Sequence, residues 1–181
     1  MRYEIRLSGT GGQGIITAGI ILSEAALHAG YEVAMSQVYG PESRGGASKA
    51  EVVIDRDPID YPRVSLPDVI LLMSQPAYDK YGSQLKPGGL VIIDTTEVHS
   101  YDQNPNGKLL AVPITQLARE KLKGVVANIL ALGVLVGVTG IVSPEVIEKA
   151  VLGRVPKGTE NLNLEALYMG FEAAAGRVPA R

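Results

Sequence analysis

The sequence predicts an α/β protein built on an open, mostly parallel sheet with helices on both faces. Three observations carry that reading. Val69-Ile-Leu-Leu-Met73 and Leu90-Val-Ile-Ile-Asp94 are short apolar runs, as strands covered on both faces require. Strand patterns alternate with helical ones along the chain, which implies parallel strands joined by crossovers. A glycine-rich turn, Gly9-Thr-Gly-Gly-Gln-Gly14, sits between the first strand and the first helix. The connections are short, and 181 residues suffice for one proper core, so a single Rossmann-like domain over residues 1–181 is expected.

Residues 3–8 alternate polar and apolar and form the first strand. After the glycine turn, Ile15, Ala18, Gly19, Leu22, Ala25, Ala26 and Ala29 share one helical face, and Thr17, Ser23, Glu24 and His28 take the other. Gly30 stops this helix as a C-terminal glycine does. Residues 32–38 form a second strand that runs into Tyr39-Gly-Pro-Glu-Ser-Arg-Gly-Gly46, and Ser48 to Ile54 form a third, closed by the Asp55–Pro58 turn. Beyond the 69–73 strand, Pro76 suits the first turn of a helix ending near Leu85, and Lys86-Pro-Gly-Gly89 turns the chain into the 90–94 strand.

Glu97–Gly107 reads as a surface excursion, Leu109 to Ile114 as the last strand, and Thr115–Lys123 as a helix. Val125 to Val142 is apolar apart from Asn128, Thr139 and its glycines, near the roughly 18 residues of a membrane span. Gly133, Gly137 and Gly140 weaken a spanning reading, and Ser143-Pro144-Glu145 starts a new helix at once, so a buried core helix is expected. Leu164 to Ala175 is the final helix.

Composition narrows the function. A net charge of −2 with scattered basic residues predicts no nucleic-acid partner. The N-terminus, Met1-Arg-Tyr-Glu-Ile-Arg-Leu, reads as a strand and not as a signal peptide, so a cytoplasmic protein with no membrane partner is expected. The chain has no cysteine, which excludes disulfides, thiolate nucleophiles and cysteine-ligated metal or iron–sulfur sites on it. His28 and His99 are the only histidines; both read as solvent-exposed, and no metal site is expected.

Gly9, Gly11 and Gly14 satisfy G-x-G-x-x-G in the required context. Glycine lets the backbone approach a ligand, and free helix N–H groups attract negative charge. A tight structural turn packed against another chain explains the same residues about as well. A dinucleotide site would need an acid closing the second strand, but that strand ends Ser36-Gln37-Val38, with Glu32 at its beginning. Gly12 and Gln13 also make the turn more polar and open than the usual fingerprint. In the Tyr39–Gly46 loop, Arg44 can fork onto a carboxylate or phosphate, or pair with Glu42 and lock the loop, with Ser43 between them. A rigid interface loop without ligand is the competing reading. Asn128 is expected to tie a neighbouring loop, since a buried amide must find partners. Lys157-Gly-Thr-Glu-Asn-Leu-Asn163 reads as a surface loop, or as the rim of the same site.

The Gly9–Gly14 turn combined with Tyr39-Gly-Pro-Glu-Ser-Arg-Gly-Gly46 resembles the gamma subunit of 2-oxoacid:ferredoxin oxidoreductases, including the pyruvate, 2-oxoglutarate and ketoisovalerate enzymes. The match extends along nearly the whole chain, through the Asn128 helix and Thr159-Glu160-Asn161. The resemblance implies oxidative decarboxylation of a 2-oxoacid on thiamine diphosphate, electron flow through iron–sulfur clusters to ferredoxin, and release of an acyl-CoA. Lacking cysteine and a Gly-Asp-Gly stretch, this chain is expected to leave the clusters, thiamine diphosphate and Mg to alpha and beta partner subunits, with a delta subunit as a further candidate, and to be inactive alone. Gly9, Gly11, Gly12, Gln13, Gly14, Ser43 and Arg44 are the candidate cofactor contacts, with CoA the candidate ligand. Tyr39, Gly40, Pro41, Glu42, Gly45, Gly46 and Asn128 are the candidate interface, and no residue is assigned a catalytic role. A stand-alone nucleotide-binding oxidoreductase and a purely structural interaction module are the alternatives.

Overall fold

The computed structural model describes residues 2–38, 47–103 and 106–175. Its elements run β1 (Tyr3–Thr10), α1 (Ile15–His28), β2 (Glu32–Val38), β3 (Ala47–Asp55), β4 (Val69–Leu72), α2 (Gln75–Tyr81), β5 (Leu90–Asp94), β6 (Lys108–Val112), α3 (Ile114–Lys121), a 3-10 turn (Gly124–Val126), α4 (Ala127–Thr139), α5 (Pro144–Arg154) and α6 (Glu160–Ala175). Six strands form one sheet in the order β2-β3-β1-β4-β5-β6. The β1–β4, β4–β5 and β5–β6 pairings are parallel, and β3 is antiparallel to both β1 and β2. The sheet is therefore mostly parallel, with β3 alone running against the other strands. β3 enters between β1 and β2, so α1 crosses over β3 before the chain reaches the edge.

Alternation along each strand divides the core. Ile5, Leu7, Val52, Leu71 and Ile92 point into the larger cluster, built with α1, α3, α4, α5 and α6. Ile70, Leu72, Val91 and Ile93 point to the other face, where Ala77 and Tyr81 of α2 cover them. Both faces carry helices, unequally. α4 and α6 cross in backbone contact: a Cβ at Gly133 would overlap the Leu167 carbonyl, and one at Gly170 would overlap that of Leu130.

Several boundaries differ from the sequence expectation for identifiable reasons. The apolar 125–142 stretch is a shorter helix, because Gly124–Val126 winds as a 3-10 turn and Gly140 (φ 62°) ends α4 in the left-handed region. Among the described residues no helix is long and apolar enough to cross a membrane. α2 stops at Tyr81 rather than near Leu85, and Ser74 caps its start by accepting from Ala77 N–H at 3.3 Å. α6 begins at Glu160, not Leu164. Ser143 occupies the N-cap of α5, yet its hydroxyl accepts no backbone N–H there and instead hydrogen-bonds Glu145. Ser23, expected on the polar face of α1, is buried and donates to the Gly19 carbonyl at 2.8 Å, whereas Ala29 is exposed.

Candidate functional site

β1 continues through Gly9 and Thr10, which pair with Ser48 and Ala47 of β3, so the turn proper is Gly11 to Gly14. Gly12 (φ 85°) and Gly14 (φ 72°) adopt the left-handed conformation that glycine alone takes without strain. Gln13 then folds back beneath the turn. Its Oε1 accepts from Thr10 N–H at 2.8 Å, and its Nε2 donates to the Met73 carbonyl at 2.8 Å. Because a backbone N–H can only donate and a carbonyl only accept, the carboxamide has one workable orientation. A Cβ at Gly9 would overlap Gln13 Oε1, which accounts for the first glycine.

This bridge joins the ends of β1 and β4, where the connections part. α1 leads from β1 toward β2 and β3, while α2 leads from β4 toward β5. Open α/β sheets place their sites in the crevice at such a switch point. A second carboxamide supports the turn from the helix side: Asn128 of α4 donates from Nδ2 to the Gly14 carbonyl at 3.2 Å. A Cβ on Gly14 would lie 2.5 Å from that nitrogen. With Gln13 and Asn128 bracing it from inside, Gly11 and Gly12 are exposed, and a Cβ on either would meet nothing within 4 Å.

α1 begins here without a side-chain cap and without an acid in its first turn. Its leading N–H groups and the helix dipole make this end favourable to negative charge. Two hollows of about 300 Å³ each flank the turn. One is walled by Gln13, Met73, Thr115 and Arg119, and the other by Gly11, Ile16, Thr17 and Ser48. Arg119 is exposed and faces Glu97 at 3.3 Å.

Tyr39, Gly40, Pro41, Glu42, Ser43, Arg44, Gly45 and Gly46 lie outside the described residues. The residues on either side of them are placed. Val38 pairs with Lys49, and Ala47 pairs with Thr10, so these two bounding residues stand at the glycine-turn end of the sheet. Ser48 donates to the Gly9 carbonyl at 3.2 Å, and Ser8 donates to the Ser48 carbonyl at 2.8 Å, fixing the start of β3 beside the turn. Glu32, the nearest acid for a dinucleotide ribose, pairs with Asp55 at the other end of the edge strand. His28 and His99 are exposed and separate.

Asp94 escaped sequence reasoning. It is fully buried at the end of β5 and accepts from Thr96 N–H at 3.0 Å and from the N–H and hydroxyl of Thr115 at 3.2 and 2.5 Å. These bonds occupy both oxygens, so Asp94 anchors the start of α3 rather than reaching toward the crevice. An acid closing an apolar strand was the available signal. At the opposite end of the strands a hollow of about 420 Å³ is lined by Tyr3, Asp68, Lys86 and Lys108. There Asp68 bonds Lys86 at 2.8 Å and holds its pKa above the ordinary lysine range, while burial raises that of Tyr3.

Comparison with known proteins identifies what this architecture is similar to. The family model described as pyruvate ferredoxin/flavodoxin oxidoreductase matches residues 4–173. A 2-oxoglutarate synthase subunit KorC from Methanocaldococcus jannaschii is 52% identical over 178 residues, covering 96% of this chain and 95% of that protein. The crystal structure of a keto/oxoacid ferredoxin oxidoreductase gamma subunit from Geobacter sulfurreducens superposes with a TM-score of 0.86 at 45% identity, covering 97% of this chain and 99% of that one. A 2-oxoglutarate:ferredoxin oxidoreductase from Magnetococcus marinus, solved with 2-oxoglutarate, coenzyme A and succinyl-CoA bound, gives a TM-score of 0.87 at 26% identity; the match covers 99% of this chain and 32% of that chain.

Proposed function

This chain belongs to the pyruvate ferredoxin/flavodoxin oxidoreductase family as a gamma subunit of its multi-subunit enzymes, and we propose that it is the non-catalytic subunit completing an enzyme that acts on 2-oxoglutarate. The substrate rests on the 52% identical relative, whose name is a 2-oxoglutarate synthase subunit. The accessory role rests on the chain's own chemistry. It has no cysteine for an iron–sulfur cluster and no Gly-Asp-Gly stretch for thiamine diphosphate, so neither group fits it. Those groups, with Mg, would sit on alpha and beta partner subunits, with a delta subunit as a further candidate partner and ferredoxin reached through the complex.

The observation that carries the site reading is the braced turn. Gln13 and Asn128 hold Gly9–Gly14 from inside and leave Gly11 and Gly12 facing outward beside the uncapped start of α1. This surface suits a phosphate of CoA at the junction with the partner subunits, and Arg44 and Ser43, between Val38 and Ala47 at that end of the sheet, would add a guanidinium and a hydroxyl. Tyr39, Gly40, Pro41, Glu42, Gly45 and Gly46 would form the flanking interface. CoA, when bound, supplies the thiol that receives the acyl group. This chain's part is to orient its phosphate end. A stand-alone NAD enzyme is disfavoured because β3 separates β2 from the glycine turn.

Arg44→Ala in the reconstituted complex tests this. Losing one charge-assisted contact worth about 1.5–3 kcal/mol raises the Michaelis constant for CoA roughly tenfold or more. If neither that constant nor subunit retention changes, the site reading fails.

A further inference from the structure

A second concave feature adjoins the glycine turn. The start of α4, the end of α5 and the start of α6 enclose a groove of about 190 Å³, walled mainly by Val125, Ile129, Val155, Pro156 and Leu162. Asn128 and Asn163 also line it, at 9% and 6% exposure. Each has its amide nitrogen engaged: Asn128 Nδ2 donates to the Gly14 carbonyl, and Asn163 Nδ2 donates to the Thr159 carbonyl at 2.9 Å. Among the described residues neither Oδ1 has a hydrogen-bond partner, and neither atom is sealed from solvent. An apolar groove with two solvent-reached acceptors on its lining residues suits an occupant that brings N–H donors beside an apolar group, since covering the groove without them would leave both oxygens unsatisfied.

Charge and size restrict the occupant further. The cation on the rim, Arg154, is bonded to Glu24 at 2.9 Å, so the groove offers no free charge to an anion. Its volume falls below the roughly 300–1,000 Å³ of small-molecule sites and corresponds to one large side chain. Val125 stands 80% exposed on the rim and also walls the hollow beside Gln13, making groove and turn one continuous surface. We propose that this groove receives a single large apolar side chain from an uncharged segment of a partner subunit, whose flanking backbone N–H groups donate to Asn128 and Asn163. The inference rests on the reading that the glycine turn faces partner subunits. It gives the 157–163 stretch a role as the far wall of that interface.

The test uses the assembled complex and two variants, Val125→Asp and Pro156→Asp. Both positions are exposed, and Pro156 lines the groove without lining either hollow at the turn. The readouts are the dissociation constant of this chain from its partners and the Michaelis constant for CoA, with the melting temperature of each isolated variant as the folding control. The expected result is at least tenfold weaker retention for both variants, with the CoA constant of the intact Pro156→Asp complex unchanged. Unchanged retention overturns the proposal. A raised CoA constant with retention intact also overturns it, because the donor-bearing occupant is then the amide-containing arm of CoA. Failure of the unmodified chain to assemble at all would instead strike the interface reading beneath it.

Discussion

Replacing Gln13 by alanine removes two hydrogen bonds at once, to Thr10 N–H and to the Met73 carbonyl, both at 2.8 Å. At about 0.5–1.5 kcal/mol per bond, the loss is about 1–3 kcal/mol. For a domain of this size each kcal/mol moves the melting temperature by about 2–4 °C, so Gln13→Ala melts about 2–12 °C lower. Gln13→Glu separates the halves. It keeps an acceptor for Thr10 N–H but turns a carboxylate, which has no proton to donate, toward the Met73 carbonyl. At neutral pH it is at least as unstable as the alanine variant, and part of the deficit returns on acidification as the carboxyl gains a donor. Thermal unfolding of the isolated chain followed by circular dichroism reads all three proteins. A Gln13→Glu variant as stable as the unmodified chain would refute the bridging role, and with it the claim that the turn is braced across the β1–β4 switch point.

Other perturbations have equally definite outcomes. Gly14→Ala imposes a left-handed φ of 72° on a residue with a Cβ and pushes that carbon against Asn128, so it costs about 2–4 kcal/mol in urea unfolding; a loss under 0.5 kcal/mol would contradict the packing. Glu51 is the shared acceptor of buried Arg6 and of partly exposed Lys49, at 2.8 and 2.9 Å, so Glu51→Ala leaves buried Arg6 without a carboxylate and costs about 3–5 kcal/mol in urea unfolding, a loss that Arg6→Met in the same chain partly reverses. The Ser143 hydroxyl holds the pKa of Glu145 below its ordinary value of 4.5. A depressed carboxyl stabilises the folded state above its ordinary pKa and loses that contribution as pH falls through the lowered value. Glu145→Gln therefore narrows the stability gap between near-neutral and acid pH, and an unaltered acid limb of the stability profile would show that the bond is not maintained in solution.

The parallel half of the sheet was legible because its strands are continuous apolar runs with no solvent face, as in Val69–Leu72 and Leu90–Asp94. The place of β3 was not. Its residues show a strand but not its direction, and the informative signal lay in the connection before it. Residues 39–46 are too few for a parallel crossover, which needs about a dozen or more, so β2 and β3 had to pair antiparallel. Asn128 was identifiable as a buried amide in need of a partner, and the structure supplies the Gly14 carbonyl. The start of α6 was misplaced because Glu160, Asn161 and Asn163 read as loop residues. Asn163 instead turns its amide back onto Thr159 and stays in the helix. The groove formed around Asn128 and Asn163 has no local signature at all, since only the packing of α4 against α6 brings those side chains together.

The decisive measurement is gentle affinity purification of this chain from its native cells, assayed for 2-oxoglutarate- and CoA-dependent reduction of an electron acceptor. An accessory subunit brings down cluster-bearing and thiamine-bearing chains together with that activity, and the chain stripped of them has none. A chain that elutes alone, or that reduces the acceptor by itself, would contradict the role assigned to it.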